Sequence, residues 1–471
     1  MNNKLMEDRE NQNEILQQVL QEAQTFLDGR AQATVAPAVP TYTQGVLQNE
    51  GVGAKGALEI FKQNYQSAMQ VSSGPRFFGY VIGGTTPAAL AGDWLTSLYD
   101  QNAFGLPGTL DRQIELEVLA FLRQMLALPE SFSGVFTTGG TMSNYTCLAV
   151  AREWAAAREG KTANDGIYGL TPPTVLTGMA HASIYKDLSM LGIGRAGVTK
   201  LPCLPGREAV DPAEVEKYLA QHPGESVIVI ANMGTVNAGD IDDLAALAAL
   251  KDKYDFYLHC EGAIGMVAAA SEKYRPLFAG VERADSLSVD CHKWLNTPYD
   301  GGVAMVNGPA LAALQHNVFA QMERVDGPAA PENAFYNIAP EGSRRFRALP
   351  AWFSLMAYGK DGYAELIERN CALAQRLAQA LQACSAVKIM NEVRLNVVSF
   401  TLNLPDEKRT PQAIAAFANA LREEGTTFLN TATLFGEPVV RCCISNWLTE
   451  EMDVDKVAAA IAQTARDFIE K

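Results

Sequence analysis

No run of about 18 apolar residues occurs anywhere in the 471-residue chain, so no membrane-spanning helix is expected. The first residues, Met1 to about Gln24, are rich in Asn, Gln and Glu and hold no apolar stretch, which does not fit a secretory signal. Positive charge is also in short supply. There are 38 Lys and Arg against 53 Asp and Glu, a net charge of −15. Such a chain repels phosphate backbones and anionic lipid, which argues against nucleic acid and membrane surfaces as partners. Histidine is scarce, with five residues. The eight cysteines form no C-x-x-C pair and no zinc-like cluster with them, so no metal is expected. Reduced, mostly buried thiols and a cytoplasmic location are the expectation. Internal repeats and low-complexity tracts are missing as well.

What is present is an ordinary globular balance, 48% apolar and 19% charged. Ile15, Leu16, Val19, Leu20, Ala23, Phe26 and Leu27 recur at helical spacing and read as an amphipathic helix. Pro37 and Pro40 then break the pattern, so residues 1–75 form an N-terminal helical segment. From Pro75 to Pro107 the chain is rich in glycine and aromatics (Phe77, Phe78, Tyr80, Trp94, Tyr99), as in a packed connector or a pocket wall. Between about 110 and 310, short apolar runs alternate with helical patterns. Ser133–Thr137, Thr174–Thr177, Val198–Leu201, Ser226–Ala231, Phe256–His259, Ser286–Val289 and Gly302–Val306 read as strands. Helices are expected over Thr141–Ala157, Asp211–Gln221 and Asp242–Tyr254. This alternation predicts an α/β fold with a mainly parallel seven-stranded sheet flanked by helices, over residues 76–350. A long helix from Ala351 to Ala383, strands at Leu395–Leu402, Thr426–Leu429 and Val439–Ile444, and helices at Pro411–Glu424 and Val454–Glu470 make residues 351–471 a smaller α+β domain.

Ligands of parallel sheets sit beyond the strands' carboxyl ends, and five polar motifs fall there. Ser288-Val289-Asp290-Cys291-His292-Lys293-Trp294 closes a strand. A lysine in that setting can lose its proton and attack an aldehyde, or it is a plain surface lysine. Phe256 to Ala263 ends a strand on Glu261; its carboxylate could pair with a protonated pyridine nitrogen, or simply cap a helix. Thr137-Thr138-Gly139-Gly140-Thr141-Met142-Ser143-Asn144 turns a strand into a helix, where free amides bind phosphate, though a Gly-Gly pair is often only a turn. His181, in Ala180-His181-Ala182-Ser183, could lie on an aromatic cofactor ring or serve as a cap. Gly234-Thr235-Val236-Asn237 could close the same crevice. Singly each is ambiguous; five in this order are hard to ascribe to chance.

Taken together, these motifs resemble the group II pyridoxal 5′-phosphate (PLP)-dependent amino acid decarboxylases, of the aspartate aminotransferase fold type I, over roughly Phe77 to Trp447. The resemblance implies that Lys293 carries PLP as a Schiff base and that His181 stacks on its ring. It places Gly140, Thr141 and His292 among the phosphate contacts, with Glu261 where the family has an aspartate; Thr235, at another strand end, is a further candidate cofactor contact. Glu341-Gly-Ser-Arg-Arg-Phe-Arg347 and Ile444-Ser-Asn-Trp447 match further family segments. It also implies a homodimer. Phe78 and Tyr80 lie in a region like the family's substrate pocket wall, which leans toward an aromatic or bulky apolar substrate. The family carries a mobile loop with a tyrosine that protonates the carbanion left by loss of carbon dioxide. His316-Asn317-Val318-Phe319-Ala320 falls where that loop is expected, with Phe319 in the tyrosine's place.

Decarboxylation of an L-amino acid is therefore the first expectation. Glu261 and Phe319 keep a second open: another PLP reaction on the same scaffold, such as oxidative deamination to an aldehyde, transamination or carbon–carbon lysis. A PLP-binding protein without turnover is the third.

Overall fold

The computed structural model describes residues 3–41, 45–320 and 334–470. Its main sheet has seven strands: β1 (Phe132–Thr137), β2 (Thr174–Thr177), β3 (Val198–Lys200), β4 (Val227–Asn232), β5 (Tyr257–Glu261), β6 (Ser286–Asp290) and β7 (Gly302–Asn307). Their spatial order is β1-β7-β6-β5-β4-β2-β3. All are parallel except β7, which runs antiparallel to both neighbours. The strands are apolar on both faces (Val227–Ala231 is wholly buried), as helices covering both sides of a sheet require. The seven expected strands are all found, with ends shifted by at most two residues. The expected helix over 242–254 is shorter, Leu244–Ala249 followed by a 3₁₀ turn.

A second, antiparallel sheet has the order β10-β11-β9-β8, from β8 (Val387–Ile389), β9 (Val397–Leu402), β10 (Asn430–Leu434) and β11 (Glu437–Cys443). The strand expected at Thr426–Leu429 is not in it. That segment instead makes a single bridge, Phe77 to Phe428, and accepts the Phe78 amide at 3.1 Å. β10 begins directly after it and pairs with β11 through the tight turn 434–437. The helix Ala348–Gln382 kinks at Gly359 and serves two cores. Its Leu349, Leu355 and Ile367 pack with the large sheet, and its Leu373, Leu377 and Leu381 with the small one. The domain boundary expected at 350/351 thus falls inside an element that both cores share.

The N-terminal helices Asn3–Glu10, Gln12–Gly29 and Gly53–Asn64 bury none of their residues in this chain. The expected amphipathic face is there, but Leu16, Val19, Leu20 and Phe26 are exposed. All eight cysteines are free thiols, seven of them buried.

Candidate active site

Because β1, β2, β4, β5 and β6 run the same way, their carboxyl ends form one rim. Thr137 of β1 and Asp290 of β6 both sit opposite Gly302, so the two strands end level. Thr138, Gly139, Gly140, Thr141, His181, Glu261, His292 and Lys293 all line one cavity of about 250 Å³ at that rim. Sequence reasoning named these positions, and the fold brings them together.

Lys293 stands in a turn that leaves β6. The next residue, Trp294, is fully buried and donates its indole N–H to Asn370 at 2.9 Å. Asn296 then takes a left-handed conformation and holds the Trp294 and Ser445 carbonyls with its amide. These anchors leave Lys293 free to aim its chain into the cavity, where its side chain is 19% exposed and Nζ lies 3.1 Å from Asp290 Oδ2. His292 Nδ1 accepts from the Gly301 amide at 3.2 Å, so its proton sits on Nε2, facing Asp290 Oδ1 at 3.2 Å. Tyr299 stacks on the same ring at 4.0 Å.

Gly139 and Gly140 start the helix Gly140–Arg158. Gly139 has φ 142°, and a Cβ there would lie 2.7 Å from His292 Cε1; one on Gly140 would lie 2.8 Å from Asp290 Oδ2. The glycines hold open a backbone cradle at a helix N-terminus, which suits a phosphate. Glu261 is buried at the end of β5 and accepts the Ala263 amide at 3.2 Å. Burial pushes its carboxyl above the ordinary range, and the Lys293 cation draws it back. His181 caps the helix Ala182–Met190 by accepting the Ser183 amide on Nδ1 at 3.2 Å. Its ring is exposed at the cavity mouth, yet the surrounding protein desolvates it, and Lys293 and Arg441 repel a second proton. It is therefore held neutral. An anion-binding cradle, a lysine, a carboxylate and a flat neutral imidazole around one cavity fit a phosphorylated pyridine aldehyde.

Other expected positions lie elsewhere. The Thr235 hydroxyl accepts from Asp240 N at 3.0 Å, away from the cavity lining. Phe78 is packed in the core of the small sheet, because its backbone is pinned between Phe428 and Cys443. Tyr80 is 57% exposed and stacks on Phe428. Neither lines the cavity, so the aromatic wall inferred from them is not found there. Phe319 ends the helix Pro309–Phe319 and packs against the Leu148 and Ile184 cluster. The stretch expected to be a loop is helix up to that residue, and residues 321–333, which follow it, lie outside the described residues.

Three residues escaped the sequence reading. Asp290 stood within a quoted motif, and its position on the last residue of a strand, three before Lys293, was the available signal. Asn144, on the helix that follows the glycine turn, lines the same cavity as Glu261 and lowers its carboxyl. Arg441, on β11 of the second sheet, is 6% exposed and donates to Val236 O and Asn430 Oδ1. No carboxylate among the described residues comes within ion-pair distance of it. Nothing local in its sequence marked it.

A family model, the pyridoxal-dependent decarboxylase conserved domain, matches residues 53–403. An aromatic-L-amino-acid decarboxylase of Bacillus atrophaeus is 29% identical over 423 residues, covering 87% of this chain and 85% of that protein. A 4-hydroxyphenylacetaldehyde synthase of Rhodiola rosea is 25% identical, covering 84% of this chain and 82% of that one. The crystal structure of Oryza sativa TDC with PLP and tryptamine has the same fold, with a TM-score of 0.89 at 20% identity and 98% coverage of each chain. With the family matched across most of its length, this chain belongs to the pyridoxal-dependent decarboxylases, enzymes that use pyridoxal 5′-phosphate to release carbon dioxide from an amino acid.

Proposed function

We propose that Lys293 holds the cofactor covalently, that Gly139, Gly140 and Thr141 receive its phosphate, that Glu261 faces its ring nitrogen and that His181 covers its ring. The observation that carries this reading is the meeting of all these groups in one cavity at the sheet's rim. When bound, PLP supplies an electron sink beside the substrate's Cα. The chain's own residues do the rest. Glu261 keeps a negative charge against the ring nitrogen at a site shielded from water. Neutral His181 offers a flat face without adding a cation. Asp290, 3.1 Å from Lys293 Nζ and 3.2 Å from His292 Nε2, holds the lysine end of the cavity in place. The buried Arg441, which has no carboxylate within ion-pair distance among the described residues, adds positive potential near His181, which supports capture of an amino acid carboxylate.

The substrate is an aromatic L-amino acid in this reading; the similarity to the Bacillus enzyme supports it. The protein acts as a cytoplasmic homodimer. The exposed Leu16, Leu20, Phe26, Ile60 and Phe61 on helices with no buried residue support a second copy covering them. Among the described residues no helix is long and apolar enough to cross a membrane.

One observation favours a second reading. Residues 321–333 contain no tyrosine, and Phe319 is the nearest aromatic before them. A chain without the loop acid would lose carbon dioxide and then release an aldehyde and ammonia with dioxygen as oxidant and peroxide as co-product. Product analysis with amino acid panels separates the two: amine alone supports decarboxylation, and aldehyde with peroxide supports the second reading. For the site itself, Lys293→Ala should abolish the visible absorption of the bound cofactor. A variant spectrum identical to that of the native protein would sink the assignment.

A further inference from the structure

We propose that Ser286, His259 and Asn144 form a directional hydrogen-bond relay that delivers an amide donor to Glu261, fixing both its orientation and its negative charge. The three are positioning residues. The inference rests on the reading of Glu261 given above and concerns Ser286 and His259 behind the cavity wall and Asn144 in it.

All four side chains are buried: His259 and Ser286 are 0% exposed, Asn144 1% and Glu261 6%. His259 lies two residues before Glu261 on β5, so both side chains leave the same face of the strand. Ser286 opens β6 directly opposite His259. Asn144 comes from the first turns of the helix that begins at the glycine cradle. His259 Nδ1 is 2.9 Å from Ser286 Oγ, and its Nε2 is 3.0 Å from Asn144 Oδ1. Asn144 and Glu261 line the same cavity, and the Asn144 side chain lowers the Glu261 carboxyl.

The polarity of this chain follows from what each group can do. An ionised carboxylate only accepts, so Asn144 must offer Glu261 its NH₂. That leaves Asn144 Oδ1 for His259, which must then donate from Nε2. Its Nδ1 is bare and accepts the Ser286 hydroxyl proton. Every donor points toward Glu261. The reverse arrangement is equally well hydrogen-bonded but carries a different charge. If Glu261 were protonated it would donate to Asn144 Oδ1, the amide would donate to His259 Nε2, and the imidazole proton would move to Nδ1. The tautomer of a fully enclosed histidine therefore reports the charge of a carboxylate that it does not touch. Burial drives the His259 imidazole down to about 3, so the ring stays neutral and acts as a one-proton device. Burial also pushes Glu261 upward, while Lys293, Ala263 N and Asn144 lower it and Asp290 raises it. The relay helps to keep glutamate ionised where the family has the shorter aspartate.

The test is ¹⁵N NMR of the full-length apoprotein labelled at its five histidines. His259 is assigned by the signal lost in His259→Gln. At neutral pH a protonated Nε2 with a bare Nδ1 is expected. A protonated Nδ1, or a doubly protonated ring, overturns the proposal, and this measurement needs no variant of the relay to fold. In the second arm, apo Asn144→Leu is titrated with PLP and followed by absorbance. The dissociation constant should rise about tenfold or more, as for loss of a hydrogen bond to a charged group. An unchanged constant overturns the proposal. The Lys293→Ala spectrum decides the site separately, since its failure leaves the tautomer result intact, and a wrong tautomer leaves the lysine assignment intact.

Discussion

Gly83 is the position where a single added carbon should disable the enzyme. Its Cα packs against the turn that carries Lys293. A Cβ built there would lie 1.8 Å from the Lys293 carbonyl oxygen and 2.9 Å from both the Lys293 carbonyl carbon and Asn296 Nδ2. Ordinary contact begins near 3.4 Å, so the shortfall is about 1.6 Å. The obstacle is backbone, which cannot rotate away as a side chain would. The turn is also held by Asn296, whose amide bonds two carbonyls, and by Trp294, locked to Asn370. Gly83→Ala must therefore shift the Lys293 backbone or the 79–86 segment. Overpacking of this kind costs about 1–3 kcal/mol in stability. The functional loss should be larger, because a displacement of about 1 Å at a reacting group costs on the order of 100-fold in rate. The assays are a PLP titration by absorbance, steady-state turnover on the best substrate of an amino acid screen, and a urea melt. A variant that binds cofactor and turns over within threefold of the native protein would refute the claim that this close approach sets the lysine's position.

Two more predictions follow from buried charge. Arg344 and Glu115 pair at 2.8 Å with both side chains almost wholly enclosed, and Arg344 also holds the Ala103 and Phe136 carbonyls. Arg344→Met strands the carboxylate and should lower unfolding stability by about 3–5 kcal/mol, most of it regained when Glu115→Leu is added; an urea midpoint within error of the native value would contradict this. His259 gives a pH effect whose sign can be worked out. Its imidazole is held near 3 by burial, whereas the unfolded chain takes up the proton near its ordinary value of 6.5. Below that value the unfolded state binds more protons, so stability falls as pH falls, by up to about 1.4 kcal/mol per pH unit. Urea melts between pH 7 and 4 should show this slope, and His259→Gln should flatten it by one proton's worth. Equal slopes would mean that the ring is protonated in the fold.

Much of this molecule was legible along the chain. Alternating apolar runs and helical periods marked the seven strands, since a strand buried on both faces has little choice but Val, Ile, Leu and Ala. Gly139-Gly140, His181, Glu261 and Lys293 stood at strand ends, where parallel topology alone assigns them to one rim. Their chemistry could be read from residue type because a phosphate cradle needs glycine and an imine needs a lysine. What the chain did not disclose depends on distances across hundreds of residues. Phe78 and Tyr80 looked like pocket wall, but pairing with Phe428, 350 positions away, pulls one into a core and leaves the other outside. Arg441 reaches the cavity's neighbourhood from a different sheet, and Asn144 and Ser286 meet His259 only when helix and strands pack. Local sequence determines which groups an element can offer; only the packing of one element on another decides which of them share a dry space, and so which are charged, paired or left waiting for a ligand.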